Sequence, residues 1–421
     1  SEKPDKDYDP LKDPSIDQSL LGHTYQVVMP MTVTKVKDGH TVENTATQVT
    51  NDKRDKTNTV TNPLKEINPK KDVTVQVGGD SIDGKSVYLN HTFLYRLDSS
   101  ILPPGRAYQT VTDWGGTDQL ATEYDQYLGN WAVYASRDLY RDGQVLAARG
   151  EKIAGSGFDS SKFGGNLFTV DADDNGKVTV NATQTYLDLV SADNEHEAGW
   201  VLYLQCKRIA VADEVPNTWT ETINGQPRES NKVVTKTPDM TPSIHLEKVD
   251  TPTLKQDGQE QADRDDPKQA LKMDADNIGI TFIITNTSKT DPATGDGAWY
   301  KASDLNLADS TIVGDAHVDM DSLTYPDNWD TLVLKPGESV SVTGTLKGVK
   351  EGDTHTDRAI VTGTPLVECA PSNGDPFNDK TDGGEDTDPE YSTGDVTEID
   401  GKQLCADTQT TSNTDDWNGY R

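Results

Sequence analysis

LFTVDADDNGKVTVNA, residues 167–182, reads as two strands folded back on each other. β-Branched residues alternate with polar ones on both arms, and Asn175-Gly176 stands where a two-residue type I′ turn would sit. The same alternation extends outward. GWVLYLQCKRIAV (199–211) has the apolar density of a core strand, and SVYLNHTFLYRLD (86–98) is long enough to cross a sandwich. DVTVQV (72–77) alternates cleanly. WAVYASRDL (131–139) and GQVLAARGEKI (143–153) form a hairpin across 140–142, and TWTETING (218–225) and SNKVVTKT (230–237) close the set. TQTYLDLVSA (183–192) alone suits a short helix. Short strands bounded by turn residues predict an all-β protein of tandem immunoglobulin-like β-sandwich domains.

Four segments are expected. Residues 1–62 carry strand-like stretches at 24–36, 41–50 and 57–62 behind a charged lead, too few for a domain, and read as the C-terminal remainder of a module. Residues 63–239 form a full β-sandwich. Residues 240–368 form a second, immunoglobulin-like domain, with NIGITFIITNTS (277–288) and a Lys335-Pro336-Gly337-Glu338 turn before SVSVTGTL. Residues 369–421 are acidic and poor in apolar residues, and read as a linker or the start of a further domain.

The 421 residues hold 71 Asp and Glu against 39 Lys and Arg, a net charge of −32. Such a field repels nucleic acid and anionic membranes, and it keeps an extended chain soluble and monomeric. No apolar run approaches the ~20 residues of a membrane span, so direct membrane insertion is not expected. Cys206 sits in an apolar strand and reads as a core thiol; Cys369 and Cys405 suit a disulfide, which needs an oxidising compartment.

No enzymatic motif is present: there is no HExxH, GxSxG, phosphate-binding loop or Cys/His cluster. Asp171 to Gly176 begins like a calcium loop, but its twelfth position is Ala182, where a bidentate Glu is required. It reads as a turn, and no cofactor is expected, with calcium at other acidic turns as the alternative. Glu195-His196-Glu197 reads as a charged turn. Trp114, Trp131 and Tyr134 fit a core better than a sugar site.

INPKKDVTVQV, IDGKSVYLNHTFLYRL, YLQCKRIAV and ETINGQPRESNKVVTKTP recur in an order that resembles the last C-terminal module of the antigen I/II streptococcal adhesins, over about residues 62–238. YQVVMPMTV and TNTVTNPL resemble the end of the preceding module, and residues 240–365 resemble stalk repeats of Gram-positive and actinobacterial surface proteins. The resemblance implies an intramolecular isopeptide bond between a first-strand Lys and a last-strand Asn, assisted by a buried acid. Lys71 is the preferred amine, with Lys70 as alternate, since strand alternation points only one of them inward. Asn231 is the implied acceptor. The implied acid is Asp113 or Asp98. Asn58 occupies the equivalent position in the truncated module and is expected to be unlinked. Lys248 is a plausible amine in the next domain, but Asp357 stands where an asparagine would be expected, and no bond is expected there.

The expected function is a stalk module of a cell-wall-attached surface adhesin, part of a longer chain, supporting attachment to host glycoproteins or other bacterial surface proteins. The alternatives are a secreted carbohydrate-binding β-sandwich protein and a pilus or surface-layer subunit.

Overall fold

The computed structural model describes residues 23–107, 110–253, 263–370 and 396–421, except 32, 37, 38 and 51, together with residues 12, 14, 19 and 377. The chain divides into two units, residues 1–66 and 67–421. In the first, Thr41–Asn44 pairs with Val60–Pro63 and Thr47–Thr50 with Lys53–Lys56, all antiparallel. Every described residue from 23 to 63 is exposed, so these hairpins enclose no core. The strand expected at 24–36 is absent from the described residues there. Asn58 lies in an exposed irregular stretch between strands. The charged lead falls almost wholly outside the described residues.

The second unit is built almost entirely of strands, as alternation requires. In its first sandwich, one five-stranded sheet runs in the order 152–155, 125–135, 200–208, 92–98, 70–74; the other runs 168–172, 177–182, 114–119, 219–223, 226–229. Ala212–Asn217 and Val233–Thr237 form a separate antiparallel pair. The core between them holds Trp114, Trp200, Trp219, Phe93 and Phe168, each almost fully buried. Gln184–Ala192 is the one α-helix among the described residues, packed on this core through Tyr186, Leu187 and Val190.

Two local expectations are corrected. The strand expected over 86–98 begins only at Thr92, because Asn90 adopts a left-handed φ of 67° and turns the chain. The 167–182 hairpin exists, but its turn is not type I′, since only Gly176 has a positive φ. The turn closes by Gly176 N donating to Asp173 O at 3.0 Å and Asp173 N to Lys177 O at 3.1 Å, a type I turn with a glycine bulge. The Asp173 carboxylate accepts from Asn175 N (3.0 Å) and Lys177 N (2.9 Å), so its role is to hold the turn.

The second sandwich pairs a sheet ordered 244–250, 277–286, 339–347, 317–318 with one ordered 271–272, 411–420, 354–363, 306–313. The linker, or start of a further domain, expected over 369–421 is therefore corrected at its end. Thr411–Tyr420 pairs with Thr354–Gly363 along its whole length, and Trp417 is fully buried in the core. Thr397–Ile399 and Lys402–Ala406 join Leu366–Glu368 in a small sheet, tied by a Cys369–Cys405 disulfide.

Candidate functional site

Strand alternation sorts the two candidate lysines. Lys70 is exposed and faces Asp98 across the ladder; Lys71 is 3% exposed and its side chain enters the core. The Lys71 amine meets the Asp118 carboxylate there, with both side chains essentially without solvent. It also lies 4.6 Å from the centre of the Tyr95 ring. Burial pulls the Lys71 amine below its ordinary pKa, against the opposing pull of Asp118. A proton on this amine is thus held by one carboxylate rather than by water.

Asp118 comes from Trp114–Gln119 and is paired across the ladder with Trp219. Directly opposed residues share a face, so Asp118 and Trp219 both point inward. Gly116, on the same face, makes room: a Cβ there would come within 2.8 Å of the Trp219 ring and 2.3 Å of Thr220 O. Trp219 donates from Nε1 to Lys70 O at 2.9 Å, which holds the first strand against this layer.

Asn217 stands two residues before Trp219 and continues the inward series Val215, Asn217, Trp219, Glu221. It is 5% exposed, and neither Nδ2 nor Oδ1 has a hydrogen-bond partner among the described residues. Asp118 Oδ1 is likewise unpartnered. A buried amide with nothing to bond costs about 1–3 kcal/mol, so its persistence needs a reason.

The other sequence-derived candidates lie elsewhere. The Asn231 amide is occupied by the main chain of Lys71: Oδ1 accepts from Lys71 N and Nδ2 donates to Lys71 O, each at 2.9 Å. It extends the first strand's ladder and does not meet the amine. Asp113 caps the turn at Asn224 and Gly225, accepting from Gly225 N at 3.0 Å. Asp98 pairs with Arg96 at 2.8 Å, outside the core. That Asp118 rather than Asp113 meets the Lys71 amine has a physical cause. Asp113 is one residue from the inward Trp114 and so takes the opposite face, whereas Asp118 is four away and takes the same face.

Beside this site runs a second buried polar string. Tyr95 OH donates to Asp125 Oδ2 (2.8 Å), and Asp125 Oδ1 accepts from Arg208 Nε (2.7 Å). Arg208 also donates to Thr237 Oγ1 (2.6 Å) and Thr235 Oγ1 (2.7 Å). Arg208 and Asp125 form a charge pair in which each guanidinium nitrogen also has a hydrogen-bond acceptor, which is how such a pair survives burial. The free thiol of Cys206 lies in the same layer and is pushed up by burial, so it is inert. Among the described residues, no group of three or more His, Cys, Asp or Glu is placed to hold a metal ion.

Residues 68–238 match the model of the family described as cell surface antigen C-terminus, and residues 2–64 match the cell surface antigen I/II C2 terminal domain. An aggregation substance of Enterococcus faecalis is 35% identical over 225 residues, which is 52% of this chain; this chain spans 16% of that protein's length. Among solved structures, the C-terminal domain of the Streptococcus pyogenes antigen I/II-family protein AspA is similar at 28% identity, covering 47% of this chain and 54% of that one with a TM-score of 0.41. The C-terminal domain of the Streptococcus agalactiae antigen I/II polypeptide BspA is similar at 23% identity, covering 47% and 58%, with a TM-score of 0.41.

Proposed function

Residues 2–64 and 68–238 belong to the antigen I/II family of cell-surface adhesins, and from that premise we propose that this chain is a tension-bearing stalk segment locked by an amide between Lys71 and Asn217. The observations that support the proposal are a dry amine that meets a carboxylate between the two sheets, and an unpartnered buried amide two residues before Trp219, the ladder partner of Asp118. Lys71 passes a proton to Asp118, and the freed amine attacks Asn217 Cγ. The protonated Asp118 donates a hydrogen bond to the amide oxygen, then relays a proton from the attacking nitrogen to Nδ2. The Cγ–Nδ2 bond breaks and ammonia leaves, with the new amide and a neutral Asp118 behind. A dry site suits each step, because burial favours the neutral amine and acid.

The bond would close the chain between its first strand and the strand ending at Asn217. Residues 72–216 then could not extend when the module is pulled from its ends. Such a segment would support attachment of the bacterial surface to host glycoproteins or other surface proteins. Single-molecule pulling tests this. The wild-type chain should never release residues 72–216, whereas Asn217→Ala should add roughly 500 Å of contour length, at about 3.5 Å per residue. Release of that length by the wild type would sink the proposal.

A further inference from the structure

The second sandwich contains its own buried amine, whose hydrogen-bond and ion-pair partners among the described residues are aspartates and not an asparagine. Lys248, on Ile244–Asp250, is fully buried, with its Nζ 2.5 Å from Asp309 Oδ2 and 2.6 Å from Asp357 Oδ2. Both carboxylates come from the facing sheet. Asp309 pairs with Ala359 and Asp357 with Thr311, which makes the two aspartates diagonal neighbours on one face. Asp357 is fully buried, and His355 Nε2 lies 3.1 Å from its Oδ2. The Phe282 ring lies 5.5 Å from the amine on another side.

The two aspartates meet the amine differently. Asp309 accepts an aligned hydrogen bond from Nζ. Asp357 lies equally close, yet neither of its oxygens has a hydrogen bond of acceptable alignment among the described residues. The amine thus donates its hydrogen bond to Asp309 and not to Asp357, which places Asp309 to exchange protons with it. One ammonium facing two carboxylates without water is also a costly arrangement, which loss of two charges would relieve.

We propose that the second sandwich forms an amide between Lys248 Nζ and Asp357 Cγ with release of water, and that Asp309 is the proton relay. An ammonium proton moves through Asp309 to an oxygen of Asp357, leaving a neutral amine beside a carboxylic acid. The Nζ–Cγ bond forms. A second proton passes from the nitrogen through Asp309 to the hydroxyl, the Cγ–O bond breaks, and water leaves. Asp309 ends as it began, and no further reactant is required. Burial, opposed by Lys248, raises Asp309 to about 6, within range for a relay near neutral pH. An aspartate at this position changes the leaving group from ammonia to water and leaves the bond formed the same.

This inference is independent of the Lys71 bond, and one experiment separates them. Peptide mapping of the reduced full chain should show a Lys248–Asp357 branched peptide short by one water, whatever becomes of Lys71. Asp309→Asn should abolish or slow that branch by at least tenfold. Asp357→Asn should restore the same product mass by losing ammonia instead. Free Lys248 and Asp357 peptides in the wild-type chain would overturn the proposal. A branch at Asp309 would overturn the assigned roles.

Discussion

Trp114 sets the parity of its strand. If it faces the core, Gly116, Asp118 and Leu120 face it too, and Asp113 does not; the structure buries them in that pattern. Asp118 was therefore legible in WGGTDQ, and Asn217 in PNTW by the same count from Trp219. What was not legible is which of many lysines and aspartates share a layer, because that depends on pairing between strands far apart in sequence. Lys71 was singled out correctly as the inward lysine, and Asn231 falls beside it in space, but on its main chain. An order of stabilities among variants follows. Asn217→Ala removes the proposed bond but keeps the Lys71–Asp118 pair, and should cost about 5 kcal/mol by the chain-entropy model. That corresponds to a fall in melting temperature of roughly 10–20 °C for a module of this size. Asp118→Ala removes the bond and also strands a buried ammonium, a further ~3–5 kcal/mol. Thermal melts that rank Asp118→Ala no lower than Asn217→Ala would contradict this.

At the scale of elements, alternation located most strands, while turn chemistry was read less well. Asp142-Gly143, Asn224-Gly225 and Asp400-Gly401 all have two consecutive positive φ angles, as type I′ turns require. Asn175-Gly176 has the same composition but another geometry, because the Asp173 side chain holds the two preceding residues in a type I turn. Edge protection is another element-scale feature. The outer strand Ile244–Asp250 has its free N–H groups satisfied by side chains of Thr411–Tyr420: Leu246 N donates to Asn413 Oδ1 (2.9 Å) and Lys248 N to Asp415 Oδ2 (2.5 Å). Burial first, then the nearby Asp265 and Glu247, raise Asp415 from 3.8 to about 7. The folded state thus holds a proton between those values that the unfolded chain has released. This contribution is fully present below the lower value and is lost as pH rises through the upper one. Asp309 slopes the same way. Asp415→Asn should flatten the decline of melting temperature between pH 5 and pH 8; an unchanged slope would show that Asp415 does not carry it.

On the scale of the whole molecule, the all-β architecture was legible, and the end of the chain was not. TSNTDDWNGY looks like solvated linker by composition, yet it is the strand that completes the second core. Its polar residues are spent on capping the neighbouring edge, a role that hydropathy does not register. The Cys369–Cys405 disulfide closes a separation of 36 residues beside that strand, worth about 4 kcal/mol by the chain-entropy model. The two sandwiches also touch within one unit. Ser86 Oγ donates to Asp291 Oδ2 (2.8 Å), Tyr88 OH to Asp296 Oδ2 (2.9 Å), and Phe377 packs against Leu94, Ala132 and Tyr203 on the outer face of the first. With both proposed bonds formed, tension would not extend residues 72–216 or 249–356.

On the proposal above, the buried amine of the adhesin module is consumed in a bond to Asn217. Intact mass and peptide mapping of the reduced wild-type chain test it most directly. The expected result is a branched peptide joining Lys71 to Asn217, short by one ammonia, that is absent from Asp118→Ala. A free Lys71 peptide, or a branch from Lys71 to Asn231, would contradict it.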